Sequence, residues 1–208
     1  MKTVKIHLIR HGQTEANARG LYIGSRTDLP LSGTGVKKLL AMKEQYVYPS
    51  ATRFYTSPMT RCKQTLQVLY AGCEPIVVDD LRECNFGEWD GQSVEQLKAD
   101  EGFQKWITGE QAEIPGGEAA MDFQTRVMAA FEQTVWDLLK SNESEAVICT
   151  HGGVIMMLMA AYAFPRAPMH EWAAEDGAGF TLLITPSMWM REPVAEAIAS
   201  IPLLLEKE

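Results

Sequence analysis

Two apolar runs far apart in the chain end in the same way, and that repetition constrains the fold more than any other feature. The first, Val4 to Ile9 interrupted by Lys5 and His7, stops at Arg10-His11 and passes at once into Gly12. The second, Ala146 to Thr150, stops at His151 and passes through Gly152-Gly153 into another apolar run. Short apolar runs closed by glycine read as buried strands. A strand ending in a cation and an imidazole, with backbone free to bend, suits an anion site at the carboxyl edge of a sheet. Amides at a helix start attract anions, and glycine lets a ligand approach the backbone closely. Arg10-His11-Gly12 alone reads better as a loop with two solvated side chains, because the tripeptide is common by chance; the downstream match is what favours chemistry. If the two strands are parallel neighbours, both imidazoles emerge on one edge.

Between these runs, strand and helix patterns alternate. Residues 18–31 are loop-like, with Gly20, Gly24 and Pro30, and Ser32 caps a helix to about Gln45. Thr52 to Thr56 is a short strand, and Ser57-Pro58 opens a helix from Met59 to Tyr70. Residues 75–78 form another strand, 81–91 an irregular segment and 94–99 a short helix. A variable stretch around Trp106 then leads to a long helix over 119–140, with Val127, Phe131, Val135 and Leu138 on one face. Beyond the second histidine the pattern predicts a helix over 153–163, a strand over 180–185 and a final helix over 194–201. Alternation of this kind implies one domain, 1–208, built as a three-layer α/β/α sandwich around a mainly parallel sheet.

Composition narrows the function classes. The 208 residues, 46% hydrophobic and 22% charged, suit a soluble globular protein with a proper core. A net charge of −8 argues against broad nucleic-acid binding but leaves room for a small anionic ligand held by a local arginine cluster. No apolar run approaches a membrane span, and Met1-Lys2-Thr3 leads straight into a strand with no signal-like segment. The four cysteines, Cys62, Cys73, Cys84 and Cys149, lack metal-ligand spacing and read as free thiols of a reducing cytoplasm.

Four motifs occur in order: Arg10-His11-Gly12 with Thr14 and Asn17; Ser57-Pro58 and Arg61 with Gln64-Thr65; Leu81-Arg82-Glu83 with Phe86-Gly87; and Thr150-His151-Gly152-Gly153. The set resembles the histidine phosphatase superfamily, the phosphoglycerate mutase-like proteins, across nearly the whole chain. The resemblance implies that His11 is the nucleophile and becomes a phosphohistidine, which needs a neutral imidazole with its lone pair on the substrate. It implies that Arg10 and Arg61 clamp the phosphoryl oxygens, for which fork geometry and permanent charge suit arginine. His151 is implied as a further phosphate donor in the cationic form, and Asn17 as a neutral one. Glu83 is implied as the acid that protonates the leaving oxygen and then as the base for water, which requires a raised pKa. No cofactor or metal is implied; there is no P-loop and no dinucleotide fingerprint.

Plainer readings stand beside these. Arg61 could be a surface helix residue, although a cation in a first helical turn is unfavourable without an anion. Glu83 could belong to a solvated acidic loop with Asp79, Asp80 and Glu88. His7 reads as a satisfied core histidine, His170 as a surface residue, the Met156-Met157-Met159 group as core packing, and Glu118 as the acidic first turn of the long helix, in a turn that also resembles a family segment close to the site. Glu83 continues as Cys84-Asn85-Phe86-Gly87, and the stretch to Gly117 holds only Lys98 and Lys105, so a second anionic group would find few cations. That pattern resembles the short phosphatase branch, which includes α-ribazole phosphatases and broad phosphomonoesterases. Phosphoglycerate mutase and a non-catalytic phosphate sensor are the alternatives. The binding partner implied is a small phosphate ester; Gly152 belongs to the last motif, and Tyr22, Arg26, Trp106, Arg166 and Trp172, from loops 20–30, 99–116 and 165–178, are available to read its leaving group. Departures from the family pattern, Met156 for arginine and Ala119 for serine, leave the substrate open, and nothing fixes the oligomeric state.

Overall fold

The computed structural model describes residues 2–108, 110 and 113–204. In chain order its elements are β1 (Val4–Arg10), α1 (Glu15–Ala18), α2 (Gly33–Gln45), β2 (Tyr46–Val47), β3 (Arg53–Thr56), α3 (Thr60–Leu69), β4 (Ile76–Val77), α4 (Val94–Lys98) and α5 (Glu101–Thr108). There follow α6 (Ala120–Lys140), β5 (Glu145–Thr150), α7 (Gly152–Tyr162), β6 (Ala163–Phe164), β7 (Gly179–Ile184), α8 (Pro186–Arg191), β8 (Ala195–Ile201) and β9 (Leu203–Leu204). Seven strands form one sheet in the order β4-β3-β5-β1-β7-β8-β6, and β2 pairs with β9.

Strands β1 and β5 are parallel neighbours at the centre, in a register that sets Arg10 beside Thr150. The four pairs β4–β3, β3–β5, β5–β1 and β6–β8 run parallel, while β7 is antiparallel to both β1 and β8. The central strands need apolar side chains on both faces because helices cover both. Alternation sends Ile6, Leu8 and Ile148 into one cluster with Phe131, Val135 and Leu158 of α6 and α7. Ile9, Val147 and Cys149 go to the other, with Leu39 of α2 and Leu66 of α3. The sheet is thus the middle of three layers, as expected from the alternation of elements. Because β1 and β5 end level, the residues that follow them, His11 and His151, leave the same edge.

Two expectations are corrected. Residues 194–201 are not a helix: Ala195–Ile201 is strand β8, antiparallel to β7 and parallel to β6. The run Ala-Glu-Ala-Ile-Ala-Ser-Ile carries ordinary helix propensity, and sheet pairing overrides it. The short helix of this region lies earlier, at Pro186–Arg191, with proline in its first turn. The stretch around Trp106 is also more regular than expected. Glu101–Thr108 is helix α5, which buries Phe103 and sets Phe103 and Trp106 edge-on or tilted against Trp89. Residues 109, 111 and 112 of the expected 99–116 loop lie outside the described residues.

Candidate active site

His11 follows β1 directly and is buried. Its Nδ1 lies 2.7 Å from the Gly12 carbonyl oxygen. A carbonyl can only accept, so Nδ1 carries the proton and Nε2 keeps a free lone pair. Burial, then the Arg61 and Arg10 charges, push the His11 pKa down to about 3 against the pull of the Gly12 bond. The ring is therefore neutral throughout the physiological range. Gly12 is fixed in turn, its amide donating to Thr65 Oγ1 at 2.8 Å.

His151 caps the start of α7, with its ring centroid 5.2 Å from that of His11 and the planes 64° apart. Its Nε2 is 2.7 Å from Ser57 Oγ and 3.6 Å from Cys62 Sγ. Burial first, then His11 and the arginines, push its pKa well below the ordinary histidine value. That direction favours a neutral ring in this arrangement. Cys62 is wholly buried against it, a packed thiol, and none of the four cysteines is in a disulfide.

The arginines show what the pocket is built to hold. Arg61, the second residue of α3, is only 1% exposed. It donates to the carbonyls of Thr27 at 3.1 Å and Gly24 at 3.2 Å, and among the described residues it has no salt bridge to a carboxylate. A buried guanidinium without a counter-ion costs several kcal/mol in desolvation, roughly, and calls for an anion. Arg10 donates through Nη1 to Ala174 O at 2.7 Å and pairs through Nη2 with Asp176 Oδ1 at 3.2 Å. Among the described residues its buried Nε has no partner. That Nε faces Gly152 at the α7 N-terminus, where a Cβ would approach within 3.4 Å. One unpaired donor and an open helix start thus meet beside the two imidazoles.

Glu83 enters from the irregular segment after β4 and is buried. Its Oε1 accepts from the Cys84 amide and its Oε2 from the Gly153 amide, each at 3.0 Å. Burial raises its pKa above the usual carboxylate value, more than the two amide bonds and the arginines lower it. This is the environment a carboxylic acid needs to hold a proton nearer neutrality.

The other candidates divide. Asn17 closes a capping box on α1: Asn17 Oδ1 accepts from Thr14 N at 3.0 Å and Thr14 Oγ1 at 2.8 Å. Tyr22 sits edge-on to Phe86 at 4.8 Å and to Phe103 at 5.3 Å, and burial followed by Glu83 and Cys84 raises its pKa, so it borders the site. Trp106 joins the same aromatic group through Phe86. Arg26 is exposed and makes no hydrogen bond or ion pair with a described residue. Arg166 turns back to the Ala161 carbonyl, and Trp172 packs on Phe180. His7 is buried, bonded through Nδ1 to Thr181 Oγ1 at 2.9 Å, but its Nε2 is unpartnered, so it is only half satisfied. His170 is exposed.

Sequence reasoning missed two supports. Asp176 orients Arg10, and Arg126 of α6 forks onto Glu118 at 2.6 and 2.8 Å. Glu118 therefore lies just before α6 and is engaged by a side chain, rather than simply favouring a helix start. Its place after Gly116-Gly117 was the one available signal. Among the described residues no group of three or more His, Cys, Asp or Glu could hold a metal, and no helix is long and apolar enough to cross a membrane.

Comparison with known proteins gives the family and the fold. The family model for the histidine phosphatase superfamily, branch 1, matches residues 6–186. A relative from Salmonella typhimurium, adenosylcobalamin/alpha-ribazole phosphatase, is 25% identical over 97% of this chain and 96% of its own. Another, from Enterobacter sp., is named probable phosphoglycerate mutase GpmB and is 29% identical over 72% of this chain and 70% of its own. Among solved structures, the alpha-ribazole phosphatase of Shigella flexneri superposes with a TM-score of 0.76 at 22% identity, covering 98% of this chain and all of the other, which shows the shared fold. The Thermus thermophilus phosphoglycerate mutase superposes at 0.66 with 28% identity over 98% of this chain and 100% of its own. The alpha-ribazole phosphatase relative and the family model support a phosphoric monoester hydrolase, and the chain belongs to the histidine phosphatase superfamily, branch 1.

Proposed function

We propose that the chain is a metal-independent phosphomonoesterase that hydrolyses a small phosphorylated metabolite through a phosphohistidine on His11. The observation that carries this reading is the tautomer of His11, its Nδ1 committed to Gly12 O and its Nε2 free. Nε2 attacks phosphorus as the bond to the ester oxygen breaks, and Glu83 gives that oxygen a proton. Water then attacks the phosphoryl group, Glu83 takes a proton from the water, and inorganic phosphate leaves. Arg10 and Arg61 hold the phosphoryl oxygens, with His151, the Gly152 amide and the Asn17 side-chain amide as further donors. Burial is the larger cause of the lowered His151 pKa; a bound dianion offsets the arginine charges that add to it and so favours a protonated donor when substrate binds. Preorganised donors of this kind each contribute roughly 3 kcal/mol or more to barrier lowering.

The aromatic group of Tyr22, Phe86 and Trp106 supports a leaving group with a flat or sugar portion, and the relatives' names support α-ribazole 5'-phosphate as one such substrate. Mutase action finds less support: Lys98 and Lys105 are exposed, and Arg82 pairs with Asp80. A sensor would have no use for a buried carboxylic acid against the helix start. The test is hydrolysis of an aryl phosphate in excess chelator, expected for the wild type and lost in His11→Ala. Retained turnover in that variant, or phosphoryl exchange between the 2- and 3-positions of phosphoglycerate faster than phosphate release, would overturn the reading.

A further inference from the structure

The proton donor of this reading sits on backbone that has no regular structure. Glu83 lies between two 3-10 turns, Asp79–Leu81 and Gly87–Trp89. Such a segment has no ladder to hold it, so its carbonyls must find partners elsewhere. Arg126 supplies three of them: Nη1 donates to Asp80 O at 2.7 Å and Arg82 O at 2.9 Å, and Nη2 donates to Glu83 O at 3.0 Å. Thr150 Oγ1 donates to Leu81 O, which lies among them, at 2.8 Å. Glu118 fixes the guanidinium by a two-point fork and takes the Asn85 amide at 3.3 Å, while its own amide donates to Asn85 O at 2.9 Å. The Phe123 ring, 5.0 Å from the guanidinium carbon, backs the plane.

We infer that Arg126, oriented by Glu118, is a positioning residue for Glu83 and sets the line along which the proton reaches the leaving oxygen. The inference rests on the phosphatase reading above. Among the described residues Arg126 makes no hydrogen bond to His11, Arg10, Arg61 or His151, and it reaches the phosphate-binding side chains only through the charge it sets near His151. Its hydrogen bonds all go to Glu118 and to the backbone that carries the acid. A misplacement of about 1 Å costs on the order of 100-fold when geometry controls the step.

Leaving-group dependence separates this role from a merely structural one. An alkoxide needs a proton as it departs, whereas 2,4-dinitrophenolate does not. Arg126→Lys keeps the positive charge near His151 and removes the fork, and Glu118→Gln frees the guanidinium without removing it. The experiment measures kcat/KM of the wild type and both variants for an alkyl phosphate and for 2,4-dinitrophenyl phosphate. In both variants the alkyl phosphate is expected to lose about 10- to 100-fold while the dinitrophenyl ester changes less than about threefold. Equal losses on both esters, or none on either, would overturn the inference and leave the phosphatase reading intact. A wild type that turned over neither ester would overturn the reading and this inference together. If Arg126→Lys does not fold, the ratio measured in Glu118→Gln decides alone.

Discussion

The Gly153 amide donates to Glu83 Oε2 at 3.0 Å, and a Cβ on Gly153 would stand 2.7 Å from Glu83 Oε1. A side chain at that place requires the Glu83 carboxylate to move. Gly153→Ala is expected to push the carboxylate aside and to lower kcat/KM for alkyl phosphates by about 10-fold or more. The backbone conformation there is an ordinary helical one, so the melting temperature should change little. Steady-state kinetics beside a thermal melt check both halves.

Arg61 trades stability for function. Its charge is buried without a carboxylate, and replacing such a group by an apolar side chain of similar volume is often neutral or stabilising. Arg61→Met is expected to keep or raise the melting temperature while activity falls about 100-fold or more. Inorganic phosphate should raise the melting temperature of the wild type and not that of the variant, because a ligand stabilises only the fold it binds. Calorimetry with and without phosphate checks this.

Acid should unfold the protein readily. His7 and His11 have pKa values near 4 and 3 in the fold, lowered chiefly by burial, against 6.5 for the ordinary side chain. Between about pH 6.5 and 4 the unfolded chain binds more protons at both, so stability is lost as pH falls through that window. Glu83, its pKa raised by burial, contributes in the opposite sense, its stabilisation being lost as pH rises through its folded value. His7→Gln is expected to reduce the slope of stability against pH by up to about 1.4 kcal/mol per pH unit inside the window. Urea unfolding at several pH values measures it.

The alkaline limb of activity belongs to Glu83. Because His11 stays neutral down to about pH 3, the nucleophile does not limit the rate on the acid side until the fold itself fails. Turnover of an alkyl phosphate is expected to fall with rising pH as Glu83 loses its proton, and in Glu83→Gln that limb should vanish with most of the activity. Turnover of 2,4-dinitrophenyl phosphate should not show the same limb. Parallel pH profiles for the two esters are the check.

The sequence made the centre of this molecule legible and its margins less so. Central parallel strands are buried on both faces, so Val4–Arg10 and Glu145–Thr150 show as apolar runs, and His11 and His151 stand out at their ends. Residues at strand ends and helix starts, Arg61 among them, inherit that legibility. Arg126 does not: its partners at residues 80–83 are distant in sequence, and a lone arginine on a long helix resembles any solvated one. Asp176 is hidden for the same reason, in a loop whose contact with Arg10 exists only once β1 and β7 pair. Strand β8 was misread because Ala195–Ile201 owes its conformation to its neighbours rather than to its own preferences.

The chemistry turns on the free Nε2 of His11. Protein mixed rapidly with a phosphate ester, quenched in alkali and digested should yield a phosphopeptide containing His11, acid-labile and alkali-stable, with the phosphoryl group on Nε2 by nuclear magnetic resonance. A phosphoryl group on Nδ1 or on another residue, or turnover that leaves His11 unlabelled at every quench time, would contradict the mechanism.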